Sequence, residues 1–330
     1  MFTPEILEKI KKSKFLITGG AGFIGSNLVE KLIALEAAKI VIVDDLSTGF
    51  IENIQDFIPL PNVEFIQKSI TDYEALLTAF NDIDIVIQLA ALGSVPRSID
   101  NPIATNAVNI TGFLNVLAAA KENKVKKVVY ASSSSVYGDD KTIPKIETST
   151  GKPLSPYAVT KKANELYAET FADVYKMDII GLRYFNVFGP KQNVKGAYAA
   201  VIPIFITNLT QNKPCSINGD GTISRDFTHV SNVVYANILA ACATHFVKHE
   251  VFNIALGDKL SLNELYQTLE GEIKTGLSPI YLPKRIGDID NSQADISKAK
   301  DLLHYAPVKT TNEGLIETIN WYRSKSIMHA

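Results

Sequence analysis

The stretch SPYAVTKK, residues 155 to 162, sets a tyrosine and a lysine four positions apart in what reads as the start of a helix. A helix turns once in about 3.6 residues and rises about 1.5 Å per residue, so Tyr157 and Lys161 share a face roughly 6 Å apart. The two can act on one ligand. A tyrosine ordinarily has a pKa of about 10, leaving roughly one part in a thousand ionised near neutrality, and nearby positive charge moves it toward the working pH. Tyrosines and lysines at this spacing also occur on exposed helices that do no chemistry, so the rest of the chain has to decide.

LITGGAGFIGSN places Gly19, Gly22 and Gly25 directly after a first strand and at the start of a helix. Glycines there permit a tight turn, close approach of backbone to a pyrophosphate, and close packing of helix on strand; the helix N-terminus offers N–H groups to the anion. A ligand-free glycine turn would look similar. The second strand ends in VIVDDLSTG, and Asp44 follows Gly25 by about twenty residues, where a carboxylate accepts hydrogen bonds from an adenosine ribose. Its charge would repel a 2′-phosphate, which argues for NAD over NADP.

These groups need a scaffold, and the chain supplies one. KFLITGG, KIVIVDD, VEFIQ, IDIVIQLA, KKVVYASS and DIIGLRY are short β-branched runs, separated by amphipathic stretches at 23–36, 72–80, 103–123 and 156–176. Apolar strands alternating with helices predict a doubly wound parallel α/β sheet, covered on both faces. From about residue 190 the rhythm loosens, with helices expected around 198–211, 231–244, 261–270 and 312–323. The expected division is a dinucleotide-binding domain over 1–187, joined by a returning segment near 225–256 that includes EVFNIA, and a smaller α/β substrate domain over 188–330.

The 330 residues carry 33 basic and 35 acidic side chains and 46% hydrophobic content, which suits large buried cores and a small-molecule partner. Nucleic acid and membrane surfaces are not expected partners. The N-terminus mixes acidic and basic residues without a signal-peptide core, and no later segment approaches eighteen uncharged apolar residues, so a cytoplasmic location is expected. Cys215 and Cys242 have no metal or redox spacing. His245 and His249 stand at i and i+4, but without a third ligand nearby they read as a solvated face, and no metal is expected.

TGGAGFIG, DDLSTG, LAALGSV, SSSSVYG, SPYAVTK, RYFNVFGP and SRDFTHV together resemble the extended short-chain dehydrogenase/reductase family, specifically its nucleotide-sugar epimerases. GPKQNVKGAYAAVIP and RIGDIDNSQAD are most similar to bacterial UDP-N-acetylglucosamine 4-epimerases, including those acting on the corresponding uronic acids. The resemblance implies a Rossmann fold, an NAD cofactor retained through turnover, and oxidation at carbon 4 of a UDP-sugar followed by hydride return on the other face. Tyr157 would be the base, Lys161 its electrostatic partner and Ser133 a hydrogen-bond partner of the 4-hydroxyl.

Carried along the motifs, cofactor contacts would come from Gly19, Gly22, Phe23, Ile24 and Gly25, then Asp44, Asp45, Ser47, Thr48 and Gly49, then Ile70, Leu89, Ala90, Ala91 and Asn109. Ser132, Tyr184, Asn186 and Val187 complete that set, with Tyr157 and Lys161. Substrate contacts would come from Gly93, Ser94, Ser133, Ser134, Asn186, Gln192, Ala200, Val201, Ile217 and Asn218. Arg225 and Arg285 suit the diphosphate, since guanidinium forks match phosphate oxygens. Asp288 matches the position that receives the uridine ribose.

Three further signals refine the expected reaction. Related dehydratases carry Thr-Asp-Glu in the stretch where this chain has Ser133, Ser134 and Ser135, and related decarboxylases carry a glutamate two residues before the tyrosine matching Tyr137. Without those carboxylates plain epimerisation is favoured. Ser292 stands where a bulky tyrosine accompanies non-acetylated sugars, so its small side chain implies room for an N-acetyl group. UDP-glucose/galactose and UDP-uronic acids are the alternative substrates.

Departures from the family pattern are Ser69, where an aspartate usually meets adenine, and Gln88, where histidine is common. Arg97 in LAALGSVPRS has no assigned role, and Trp321 with Tyr322 reads as packing. The resemblance also implies a homodimer through the tyrosine helix and the 103–123 stretch. A non-catalytic NAD-binding sensor is the outside alternative; such a protein would be expected to lose Tyr157 and Lys161.

Overall fold

The computed structural model describes residues 2–194, 199–243, 249–283 and 291–328. Its centre is a sheet of seven parallel strands: β1 (Lys14–Thr18), β2 (Lys39–Val43), β3 (Val63–Ile66), β4 (Ile85–Gln88), β5 (Lys127–Ser133), β6 (Ile179–Tyr184) and β7 (Glu250–Ile254). They lie in the order β7-β6-β5-β4-β1-β2-β3. Successive strand side chains point to opposite faces, so each strand feeds two cores. Phe15, Ile17, Ile40, Ile42, Ile85, Ile87 and Val129 enter one; Leu16, Val41, Val43, Val86, Val128 and Tyr130 enter the other.

Helices cover both faces, which is why the strands read as near-continuous apolar runs. The first core takes Leu28, Val29 and Leu32 from Phe23–Ala34 and much of the apolar Val230–Cys242 helix. The second takes Leu76 from Tyr73–Ala79, Phe113, Val116 and Leu117 from Phe113–Glu122, and Ala168 and Ala172 from Pro156–Tyr175. Between β1 and β4 the strand order reverses. In such sheets ligands bind in the crevice beyond the strand C-termini at that switch point, and Gly19, Leu89 and Ala90 follow the ends of β1 and β4.

The Pro102–Glu122 stretch corrects one expectation. It is long and apolar enough to cross a membrane by length and composition, with mean hydropathy 1.4. Its Phe113, Val116, Leu117, Ala119 and Ala120 are fully buried in the second core, so the sheet accounts for its apolar face.

A third core gathers Phe188, Phe205, Ile206, Leu209, Ile217, Leu265, Leu269, Leu315 and Ile319. It is built on helices Val201–Thr210, Leu262–Ile273 and Thr311–Met328. EVFNIA does return to the large sheet: β7 pairs with β6 from Glu250↔Ile180 to Ile254↔Tyr184. Ala294, Ile296, Ala299, Leu303 and Tyr305 also pack into the first core, so residues beyond the returning strand support the main sheet as well.

Candidate active site

Local sequence sets the tyrosine helix. Ser155 caps it through its side chain, accepting from the Ala158 amide at 3.1 Å, and Pro156 occupies the first position, where its missing N–H costs nothing. The Tyr157 amide donates to Ser98 Oγ at 3.0 Å, fixing this helix to the short helix Val95–Asp100. Lys161 is 2% exposed and donates to the Ala131 carbonyl oxygen at 2.7 Å. Its ammonium sits 5.9 Å from the Tyr157 ring centre, beneath the tyrosine rather than in solvent.

Burial pushes the Tyr157 hydroxyl above its ordinary value, opposed by a hydrogen bond with Ser133. Burial also pulls Lys161 down to about 8. The expected lowering of Tyr157 by Lys161 is therefore not the direction produced by the chain's own groups, because desolvation of the phenolate outweighs the opposing Ser133 hydrogen bond.

Tyr157, Lys161, Ser132, Ser133 and Ser134 line a cavity of about 800 Å³ together with Gly19, Gly22, Phe23, Ile24 and Gly25. The glycines are required by geometry. Gly19 has φ +71, and a Cβ there would stand 2.7 Å from the Ala90 nitrogen; one on Gly25 would run into the Gly19 carbonyl. Gly22 caps the following helix without a side-chain hydrogen bond, leaving leading amides for an anion. These features fit a dinucleotide pyrophosphate.

Asp44, Asp45, Ser47, Thr48, Ile70, Leu89, Ala90, Ala91, Tyr184, Asn186 and Val187 line the same cavity, as do Gly93, Ser94, Gln192 and Ala200. Asp44 Oδ2 accepts from the Ala21 amide and Oδ1 from Leu46, both at 2.9 Å. A carboxylate has about four acceptor sites, so two backbone bonds leave room for ribose hydroxyls. Burial raises the Asp44 pKa against these bonds. Gln88 is buried, gives its amide to Ala90 O at 2.7 Å and leaves Oε1 without a partner.

A second cavity of about 620 Å³ adjoins the first and contains Ser94, Asn186, Val187, Ala200, Val201, Asn218 and Arg225. Ser94 and Asn186 line both cavities, and both have positive φ, +101 and +33. Such backbone costs on the order of 1–3 kcal/mol and gathers where function requires it. Asn186 is held by donating from Nδ2 to Asp226 O at 3.0 Å.

Four expected contacts lie off both walls. Asn109 spends its amide on the Leu92 backbone and Thr160, at 2.7 to 3.2 Å, and so braces the wall from behind. Gly49 packs against Asp44 and Ala21. Ile217 points into the third core while Ser216 and Asn218, its strand neighbours, face the cavity. Ser292 is half-buried and pairs in register with Arg225, one strand away from the wall. Arg285 and Asp288 lie outside the described residues.

Sequence reasoning missed Lys68, which lines the wall just after β3, and left Arg97 without a role although it lines the cavity beside Ser94. A cation following a strand end was the only available signal. Among the described residues no group of three metal-ligating side chains occurs. His245 lies outside them, and His249 is not on a solvated face: its Nε2 is 3.0 Å from the Tyr130 hydroxyl, and burial lowers it to about 4. Tyr322 is more than packing, since its hydroxyl donates to the Gln192 carbonyl.

Residues 15–255 match the model of the NAD dependent epimerase/dehydratase family. The chain is 39% identical to a UDP-N-acetylglucosamine 4-epimerase from Methanobrevibacter ruminantium, solved in complex with UDP-N-acetylmuramic acid; the match covers 96% of this chain and 99% of that one, with a TM-score of 0.91. A UDP-glucose 4-epimerase from Thermotoga maritima, solved with UDP-glucose, is 36% identical over 95% and 99% of the two chains, with a TM-score of 0.89. A UDP-glucuronate 4-epimerase from Thermodesulfobacterium geofontis is 36% identical over 93% of this chain and 95% of its own length.

Proposed function

The chain belongs to the NAD dependent epimerase/dehydratase family, among its UDP-sugar 4-epimerases, and on that premise we propose that it interconverts UDP-N-acetylglucosamine and UDP-N-acetylgalactosamine. The observation that carries the chemistry is the buried Tyr157 hydroxyl, hydrogen-bonded with Ser133 and underlain by Lys161, on the wall shared with the glycine loop. Tyr157 accepts the proton of the 4-hydroxyl and later returns it. Ser133 orients that hydroxyl. The glycine loop and Asp44 would hold NAD, which when bound would supply reversible hydride transfer at carbon 4.

Lys161 is fixed by the Ala131 carbonyl, and Tyr157, raised by burial, would need the positive charge of an oxidised cofactor to ionise near neutrality. Ser133, Ser134 and Ser135 offer no carboxylate for elimination, which supports epimerisation over loss of water. The adjoining cavity, with Arg225 on its wall, would anchor the diphosphate while the keto sugar turns over. Similarity to a UDP-N-acetylglucosamine 4-epimerase supports the N-acetylated substrate, while Ser292, in register with Arg225, stands one strand behind the cavity wall.

One observation favours a second substrate. Arg97 lines the cavity beside Ser94, and a guanidinium there suits a sugar carboxylate, so UDP-uronic acids are the second reading. Product analysis by nuclear magnetic resonance over UDP-N-acetylglucosamine, UDP-glucose and their uronic acids tests both. Fastest conversion of the N-acetylhexosamine without added NAD supports the first; a uronic acid converted fastest replaces it, and an unchanged panel with cofactor-loaded protein overturns both.

A further inference from the structure

Tyr157, Lys161 and Glu165 follow at i, i+4 and i+8 on one helix stripe. The first two line the cavity, whereas Glu165 turns into the protein and is 5% exposed. Both its oxygens are engaged. Oε1 accepts from Ser132 Oγ at 2.7 Å and from Arg183 Nε at 2.8 Å, and Oε2 accepts from Arg183 Nη2 at 2.9 Å. Arg183, on β6, passes the connection on: its Nη1 donates to the Tyr137 hydroxyl at 3.0 Å and to Glu147 O at 3.1 Å. Tyr137 in turn donates to Asn253 Oδ1 at 2.6 Å.

This network grips the serine segment on both sides of Ser133. Ser132, just before it, bonds Glu165; Tyr137, closing the short helix Ser134–Tyr137 just after it, bonds Arg183. Replacing a buried ion pair by apolar residues is often neutral or even stabilising, so stability alone does not call for one here. What the pair supplies is fixed geometry between the tyrosine helix and the end of β5, which bring Tyr157 and Ser133 together.

We infer that Glu165, paired with Arg183, is a positioning residue for the reaction, setting the Ser133 hydroxyl against Tyr157. This rests on the assignment of those two groups under the proposed function. Facing Glu165 are Arg183 and, at 3.7 Å, Lys162 of its own helix, with the Tyr130–His249 pair nearby; Tyr137 and Glu147 meet Arg183. Burial would raise Glu165, but Arg183 and Ser132 hold it below the usual carboxylate value, so it keeps its charge through the neutral range. Tyr157 is faced by Ser133 and Lys161, with Arg97 on the same cavity wall.

The test compares cofactor-loaded wild type, Ser132→Ala and the double variant Glu165→Met with Arg183→Met. Each is measured for kcat, KM, cofactor content, urea unfolding and the pH profile of kcat. A folded double variant is expected to keep KM and cofactor while kcat falls tenfold or more. The acid limb of its profile moves to higher pH, because the Ser133 bond that favours tyrosinate is weakened. Ser132→Ala, which leaves the ion pair intact, shows a smaller change of the same kind and decides the matter if the double variant does not fold. Wild-type kcat with an unmoved limb overturns the inference, as does activity lost only in step with stability or cofactor. Tyr157→Phe serves as the separate control: if it retains turnover, the assignment of the base fails first.

Discussion

The Lys161 ammonium lies 5.9 Å from the centre of the Tyr157 ring while donating to the Ala131 carbonyl at 2.7 Å. The lysine is thus anchored to β5, and the tyrosine stands over a charge that cannot swing away. Two groups that share only a helix face in the sequence become a fixed pair by the sheet beneath them.

Removing the hydroxyl isolates its contribution. Tyr157→Phe is expected to keep the fold and the bound cofactor and to lower kcat about a thousandfold, within the range of general acid–base groups. Steady-state kinetics and cofactor absorbance check this; near-normal turnover would mean another base acts.

Lys161 makes the opposite trade between stability and activity. Its folded pKa, about 8, is below the ordinary lysine value of 10.5, so the folded chain binds fewer protons than the unfolded chain between these values. Its burial cost is complete below about pH 8 and is relieved as pH rises toward the unfolded value. Lys161→Met is therefore expected to be more stable than wild type at neutral pH, by up to about 3 kcal/mol, while losing activity. Urea unfolding at neutral pH decides it, with a less stable variant as the contrary result.

Gly25→Ala puts a methyl against the Gly19 carbonyl and must open the loop. The expected result is protein that purifies without nicotinamide cofactor, while Gly271→Ala, where nothing lies within 4 Å of a new methyl, keeps it. Cofactor content after denaturation is the measurement, and equal loading of both variants would contradict the assigned loop.

Asp226 joins three segments, accepting from the amides of Leu256 and Gly257 at 3.0 Å and of Ala294 at 3.3 Å. Burial pushes it up to about 6, with these bonds opposing the rise. A raised folded pKa means that its protonation-linked stability is complete below the ordinary carboxylate range and is lost as pH rises through about 6. Asp226→Asn exchanges one acceptor for a donor and is expected to cost about 1–3 kcal/mol. The gap from wild type should narrow as pH rises through about 6; a gap that widens instead would show that the carboxylate form is the favoured one.

The seven strands of the main sheet were legible because burial on both faces writes near-continuous apolar runs, and the glycine loop because only glycine tolerates its contacts. The Pro4–Lys12 helix was missed, although Thr3 caps it and Pro4 opens it, because its polar surface buries little besides Ile10. The site's residue types were readable through motifs, but their division between wall and support was not. Asn109 and Ile217 look like their cavity-lining neighbours in sequence; only packing shows that one braces Leu92 and the other fills a core. Likewise nothing in the spacing of Glu165 and Arg183 reveals that they meet, since β6 approaches the helix only through the fold.

The returning strand β7 has a consequence for how the molecule comes into being. It closes the β6 edge, and the Val230–Cys242 helix before it fills the first core. A ribosome releasing the chain from its N-terminus therefore emits six strands whose outer edge stays unpaired until residue 254 has emerged. Chains commonly fold in sequential units as they are made, but here the main sheet cannot be sealed before the segment bearing Arg225 exists. Prematurely terminated chains would carry an open β6 edge, a surface that pairs readily with other strands.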